Sequence, residues 1–123
     1  MRFSKRFEIC IPKSELQLEI EKLYTSGDVV EYAYILHELP NSHSHYHIYL
    51  EFVCPVAMDD VCKLFDFSFR ESFCRDKCIF PVSWTTETML EAFLLKDRYH
   101  SYDSSLLKAS IGLHEKYPEI FRK

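Results

Sequence analysis

The chain has 123 residues, enough for one domain around one core and too few for two independently folding halves. With 47% hydrophobic and 28% charged residues it has the composition of a globular protein, which excludes a disordered chain, and no apolar run approaches the ~20 residues of a membrane span. A net charge of −4 excludes nucleic-acid binding by bulk attraction, so any such binding must rest on a local site.

In chain order, Phe3 to Ile11 alternates, with Phe7, Ile9 and Ile11 on one side and Arg6, Glu8 and Cys10 on the other, and Pro12 closes it, so it reads as a first strand. A helix follows, with Ser14 and Gln17 resembling a capping box, Leu16, Ile20 and Leu23 at helical spacing, and Gly27 as its stop. Val29 to His37 and His45 to Val53 are rich in β-branched and aromatic residues and form a hairpin about the turn at Leu39, Pro40, Asn41 and Ser42, which Pro55 ends. A second helix spans about Met58 to Phe67. Ile79, Phe80 and Val82 give a short strand, and Thr85 or Thr86 caps a third helix with the apolar stripe Met89, Leu90, Phe93 and Leu94. A final helix is expected from about Ser104 to Lys116, limited by Pro118.

That order, β-α-β-β-α-β-α, predicts an α+β fold, a ferredoxin-like split β-α-β with a central antiparallel sheet, helices on one face and an open opposite face, in a single domain over residues 1–123. Five cysteines, an odd number, three of them in apolar runs, read as reduced small hydrophobes, and Cys74 with Cys78 makes a poor zinc signal.

Four of six histidines, His37, His43, His45 and His47, fall within eleven residues, with Glu38 among them. On a strand, side chains alternate, so His45, His47, Tyr49 and Glu51 share the face opposite Ile48, Leu50 and Phe52. His-x-His can therefore offer two imidazoles to one metal ion, and a neighbouring strand can add His37 or Glu38. The bland alternative, solvated polar residues about a turn, suits His43 better than the pair.

The run His45-Tyr46-His47-Ile48-Tyr49-Leu50-Glu51-Phe52 resembles the second motif of the HUH endonucleases, found in rolling-circle replication initiators (Rep) of plasmids and of circular single-stranded DNA viruses. Phe7 to Pro12 is similar to their first motif, and Phe93-Leu94-Leu95-Lys96 stands where their Tyr-x-x-Lys helix motif belongs. The resemblance implies sequence-specific nicking and joining of single-stranded or hairpin origin DNA. A tyrosine attacks a phosphodiester, leaving a 5′-phosphotyrosyl enzyme and a free 3′-hydroxyl, and a divalent metal, Mn²⁺ or Mg²⁺, stabilises the charge. It also implies a place in the cytoplasm of a plasmid's bacterial host, or in the host nucleus for a virus.

The departure from the motif is Phe93, a phenyl ring in the nucleophile's position, which makes the chain as written a cleavage-dead trap. Either this residue replaces a tyrosine or another tyrosine serves, Tyr99 or Tyr102; the first fits better, because position 93 precedes Lys96 by three residues on a helix. The resemblance assigns Lys96 to holding phosphate or positioning the site. Lys5, Arg6, Lys13, Arg70, Arg75, Lys77 and Arg98 are candidates for a local phosphate track, and Tyr49 for stacking on a base. Two further readings are a small HUH transposase or relaxase-like protein, and a metal-free DNA-binding relic that keeps the fold without catalysis.

Overall fold

The computed structural model describes residues 3–13, 19–37, 44–65, 79–83, 85–95 and 107–121, with side chains to 91 in the fifth of these segments. Five strands form one antiparallel sheet. In chain order the elements are β1 (Phe3–Pro12), α1 (Ile20–Thr25), β2 (Glu31–His37), β3 (His45–Ala57), α2 (Met58–Leu64), β4 (Ile79–Pro81), α3 (Thr86–Leu95), β5 (Lys108–Ala109), α4 (Ile111–Lys116) and α5 (Pro118–Phe121). The sheet order β4-β1-β3-β2-β5 places β3 between β1 and β2, the split β-α-β arrangement of a ferredoxin-like α+β fold with a short fifth strand added beside β2.

Period-two alternation sends the two sides of each strand into different surroundings. Phe7, Ile9, Ile11, Ile48, Leu50, Phe52 and Ile79 lie on one face and pack with Ile20 and Leu23 of α1 and Val61 and Cys62 of α2. Each fully buried side chain of this size contributes about 1.5–3 kcal/mol, so this face holds the sheet and its two helices together. Local signals fix the helix ends. Gly27, at φ 86°, donates its N–H to the Tyr24 carbonyl while Asp28 donates to Leu23, a Schellman closure that needs a residue tolerant of the left-handed region. Thr85 Oγ1 accepts the Thr88 N–H at 3.2 Å and so caps α3.

The second face is the larger correction to the sequence reading. It carries a core of its own, in which Ala33, Ile35 and Tyr49 of the sheet meet Met89 and Leu90 of α3, Leu107, Leu113 of α4 and Ile120 of α5. The open face expected from the sequence is therefore covered along these residues. From Leu107, where the described residues resume, the expected single helix from Ser104 to Lys116 is instead β5, then α4, with Pro118 opening α5 rather than limiting a helix, because proline suits a first helical turn. β3 also runs past Pro55 to Ala57. Register with β1 passes from Arg6 opposite Glu51 to Ser4 opposite Val56, so exposed Val53, Cys54 and Pro55 bulge out of the ladder, where proline needs no N–H. α1 begins at Ile20; its proposed cap at Ser14 and Gln17 lies outside the described residues.

Candidate metal centre

The site grows from three cross-strand rows on the second face. Register pairs Cys10 of β1 with His47 of β3 and His47 with Ile35 of β2; one row further along, Pro12 meets His45 and His45 meets His37; one row back, Glu8 meets Tyr49 and Tyr49 meets Ala33. Directly opposed residues have Cβ atoms about 4.5–5.5 Å apart, so adjacent rows bring imidazole, thiol and carboxylate into one neighbourhood without any loop being asked to place them. The central position of β3 makes this neighbourhood rigid, since it is paired on both sides.

Within it the rings converge. His45 Nε2 and His47 Nε2 are 3.1 Å apart, a separation that one proton or one metal ion can bridge. Their ring centroids are 4.8 Å apart and nearly perpendicular, at 88°, and the His37 ring lies 4.7 Å from that of His47 and 5.5 Å from that of His45. The donor atoms that gather within 4.8 Å of one another, among the described residues, are those of Cys10, His45 and His47. His47 is 6% exposed and His37 8%, whereas His45 and Cys10 are half-buried, so the cluster has a dry floor and an accessible rim.

Glu8 supplies the next layer. Its Oε1 lies 3.9 Å from His47 Nδ1, with both side chains largely buried. At that separation the carboxylate acts on the ring through its charge rather than through a hydrogen bond, and so favours positive charge at His47, whether from a proton or from a bound ion. Burial pushes the Cys10 thiol above its ordinary value, so without a metal ion it keeps its proton.

The sequence-predicted residues divide clearly. His45 and His47 stand together as expected, with His37 beside them; Glu38 lies outside the described residues. Cys10 and Glu8 were missed. The alternation of β1 put both on the side away from Phe7, Ile9 and Ile11, but that this is the histidine side follows only from the pairing of β1 with β3, which sequence alone does not register. Tyr49 is corrected outright: it is 0% exposed and cannot stack on a base, its hydroxyl donating to Glu51 Oε1 at 2.6 Å and meeting Thr86 Oγ1 at 2.9 Å. Burial above all, then that bond to Glu51, pushes its phenol well above the usual range, against the opposing influence of Thr86 and Arg6.

Among the proposed DNA contacts, Lys5 is exposed at the irregular end of β1, and Arg6 is half-buried opposite Glu51. Phe93 lies on α3, whose Met89 and Leu90 pack on the histidine face of the sheet, but its side chain is outside the described residues, as are Lys96, Arg98, Tyr99 and Tyr102. No helix among the described residues is long and apolar enough to cross a membrane. Neither the known family models nor the curated proteins give a match to this chain. The site thus stands on its geometry.

Proposed function

We propose that this chain is an HUH-type endonuclease domain of a rolling-circle replication initiator, binding single-stranded or hairpin origin DNA beside a divalent metal held by His45 and His47. The observation that carries the reading is the pair of Nε2 atoms 3.1 Å apart on the central strand, backed by Glu8, on the same sheet face as the helix that bears position 93. The donors fit an ion: two imidazoles from one strand, a thiol from the next and a third histidine ring alongside.

A bound ion would polarise the scissile phosphate and offset the charge developing on its oxygens. The chain's own residues do the rest: the sheet fixes the imidazoles, the Glu8 carboxylate adds negative charge beside His47, and α3 carries the nucleophile position across the same face. With phenylalanine at 93 there is no oxygen to attack phosphorus, so the protein binds DNA without cutting it. Phe93→Tyr is expected to create a metal-dependent covalent adduct with single-stranded origin DNA, seen as a denaturation-resistant shift on a gel; no adduct with either ion would overturn the trapping role of position 93. Adding Tyr99→Phe to that variant should leave the adduct intact, whereas its loss would move the nucleophile to Tyr99.

A second reading, a catalytically silent DNA-binding relic of the same fold, is favoured by Phe93 itself. A natural phenylalanine at 93, combined with no metal binding and no nicking by the Phe93→Tyr variant, is the outcome it expects.

A further inference from the structure

We propose that Cys10 is itself a metal ligand, so that Cys10, His45 and His47 form a sulfur and two-nitrogen set for a thiophilic divalent cation of the Zn²⁺ class. This rests on the reading that the histidine pair binds an ion, and goes beyond it by naming the third donor and the kind of ion.

The placement of the sulfur carries the argument. Cys10 is the direct cross-strand partner of His47, and its donor atom lies within 4.8 Å of both histidine donors. Two nitrogens and a sulfur bound tetrahedrally at about 2.0–2.1 Å and about 2.3 Å from one ion sit roughly 3.3–3.6 Å apart, so small side-chain rotations suffice to close the set. A cysteine serving only as a small hydrophobe is expected among apolar neighbours. Cys62 is that case, buried with Val61 and Phe65 in the first core. Cys10 points to the other side of the sheet, where its partner is a histidine and the residue two before it on its strand face is Glu8.

Ion choice follows from ligand chemistry and burial. Mg²⁺ keeps most of its waters and prefers oxygen, and a half-buried thiol flanked by a largely buried imidazole offers it neither. Zn²⁺ and Co²⁺ accept thiolate and imidazole together in a four-coordinate shell, the thiol proton leaving to solvent as the bond to sulfur forms. The fourth position stays available to an oxygen ligand, in the proposed function a phosphate oxygen.

The test is a Co²⁺ titration of the wild-type chain, Cys10→Ser, His45→Ala and His47→Ala, read by absorption and followed by Zn²⁺ competition. The wild type should show an intense near-ultraviolet sulfur-to-cobalt band that Cys10→Ser lacks. Loss of an outer partner alone weakens metal binding about 10–100-fold, so Cys10→Ser should weaken Zn²⁺ by about a hundredfold or more. As a check that needs no variant, Zn²⁺ should slow alkylation of Cys10 in the wild type, mapped by mass spectrometry, while Mg²⁺ should not. If Cys10→Ser keeps the wild-type spectrum and Zn²⁺ affinity, or Zn²⁺ leaves Cys10 alkylation unchanged, the sulfur assignment falls. Loss of binding in both histidine variants alongside such a result would leave the histidine-pair reading standing; a wild type that binds no ion would overturn both.

Discussion

Glu8 and Tyr49 are neighbours across β1 and β3, yet the carboxylate of one and the phenol of the other do different work. The Glu8 carboxylate, 3.9 Å from His47 Nδ1, puts a largely buried negative charge beside the imidazole. Glu8→Gln keeps the shape and removes the charge, so metal affinity should fall about 10–100-fold, the usual effect of losing such a partner, while the fold persists; calorimetric titration of the variant checks it, and an unchanged affinity would remove Glu8 from the site. Tyr49 instead ties β3 to the start of α3 through Thr86. Its phenol holds its proton more tightly in the folded chain than in the unfolded one, where tyrosine titrates near pH 10. The sign follows: this stabilisation is complete below about pH 10 and is lost as pH rises through the higher folded value. Denaturant midpoints should therefore fall between pH 9 and pH 11, and Tyr49→Phe should flatten that fall; an equal slope in both proteins would contradict the role given to this hydroxyl.

At the scale of elements, the least expected part is the chain after α3. β5 pairs with β2 for two residues and hands over to α4 at Ser110, whose hydroxyl donates to Glu31 Oε1 at 3.0 Å and accepts the Tyr32 N–H at 3.1 Å. Lys116 Nζ approaches the other Glu31 oxygen at 3.4 Å, so the buried carboxylate is held from both ends of a short helix. Gly112 lies against that carboxylate so closely that a Cβ there would overlap it. Gly112→Ala would gain helix propensity but must displace Glu31 from Ser110 and Lys116. Overpacking of this kind costs about 1–3 kcal/mol, more than the ~1 kcal/mol that alanine gains over glycine, so the variant should be less stable in urea denaturation. A more stable variant would show that the carboxylate gives way freely. This anchoring explains why α4 stays docked on the second core through Leu113 although it is only six residues long.

For the whole molecule, what the sequence disclosed and what it hid have physical causes. Alternation in β1 and β3 and the aromatic, β-branched character of β2 gave the sheet and its apolar face, because each strand's period is written in its own residues. Thr85, Glu87 and the stripe from Met89 gave α3. The cover on the second face was hidden because Tyr49, Ala33 and Ile35 become core only once α3, α4 and α5 fold back across them, a long-range event with no local signature. For the same reason His45 and His47 were legible from their spacing alone, whereas Cys10 and Glu8 joined them only through the register of β1 against β3. A solitary cysteine in an apolar run reads as packing until its cross-strand partner is known.

The central claim is that this sheet grips one divalent cation between two imidazoles, and it is tested most directly by calorimetric titration of Mn²⁺ and, separately, Zn²⁺ into the wild type and three histidine variants. The wild type should take up a single ion, His45→Ala and His47→Ala should each weaken binding by about a hundredfold or more, since outer partners alone account for about 10–100-fold. His114→Ala should match the wild type, because His114 belongs to α4 and packs on Phe121 of α5 at 4.1 Å, whereas the imidazole pair is on β3. Equal affinities in all four proteins, or no heat of binding in any, would contradict it.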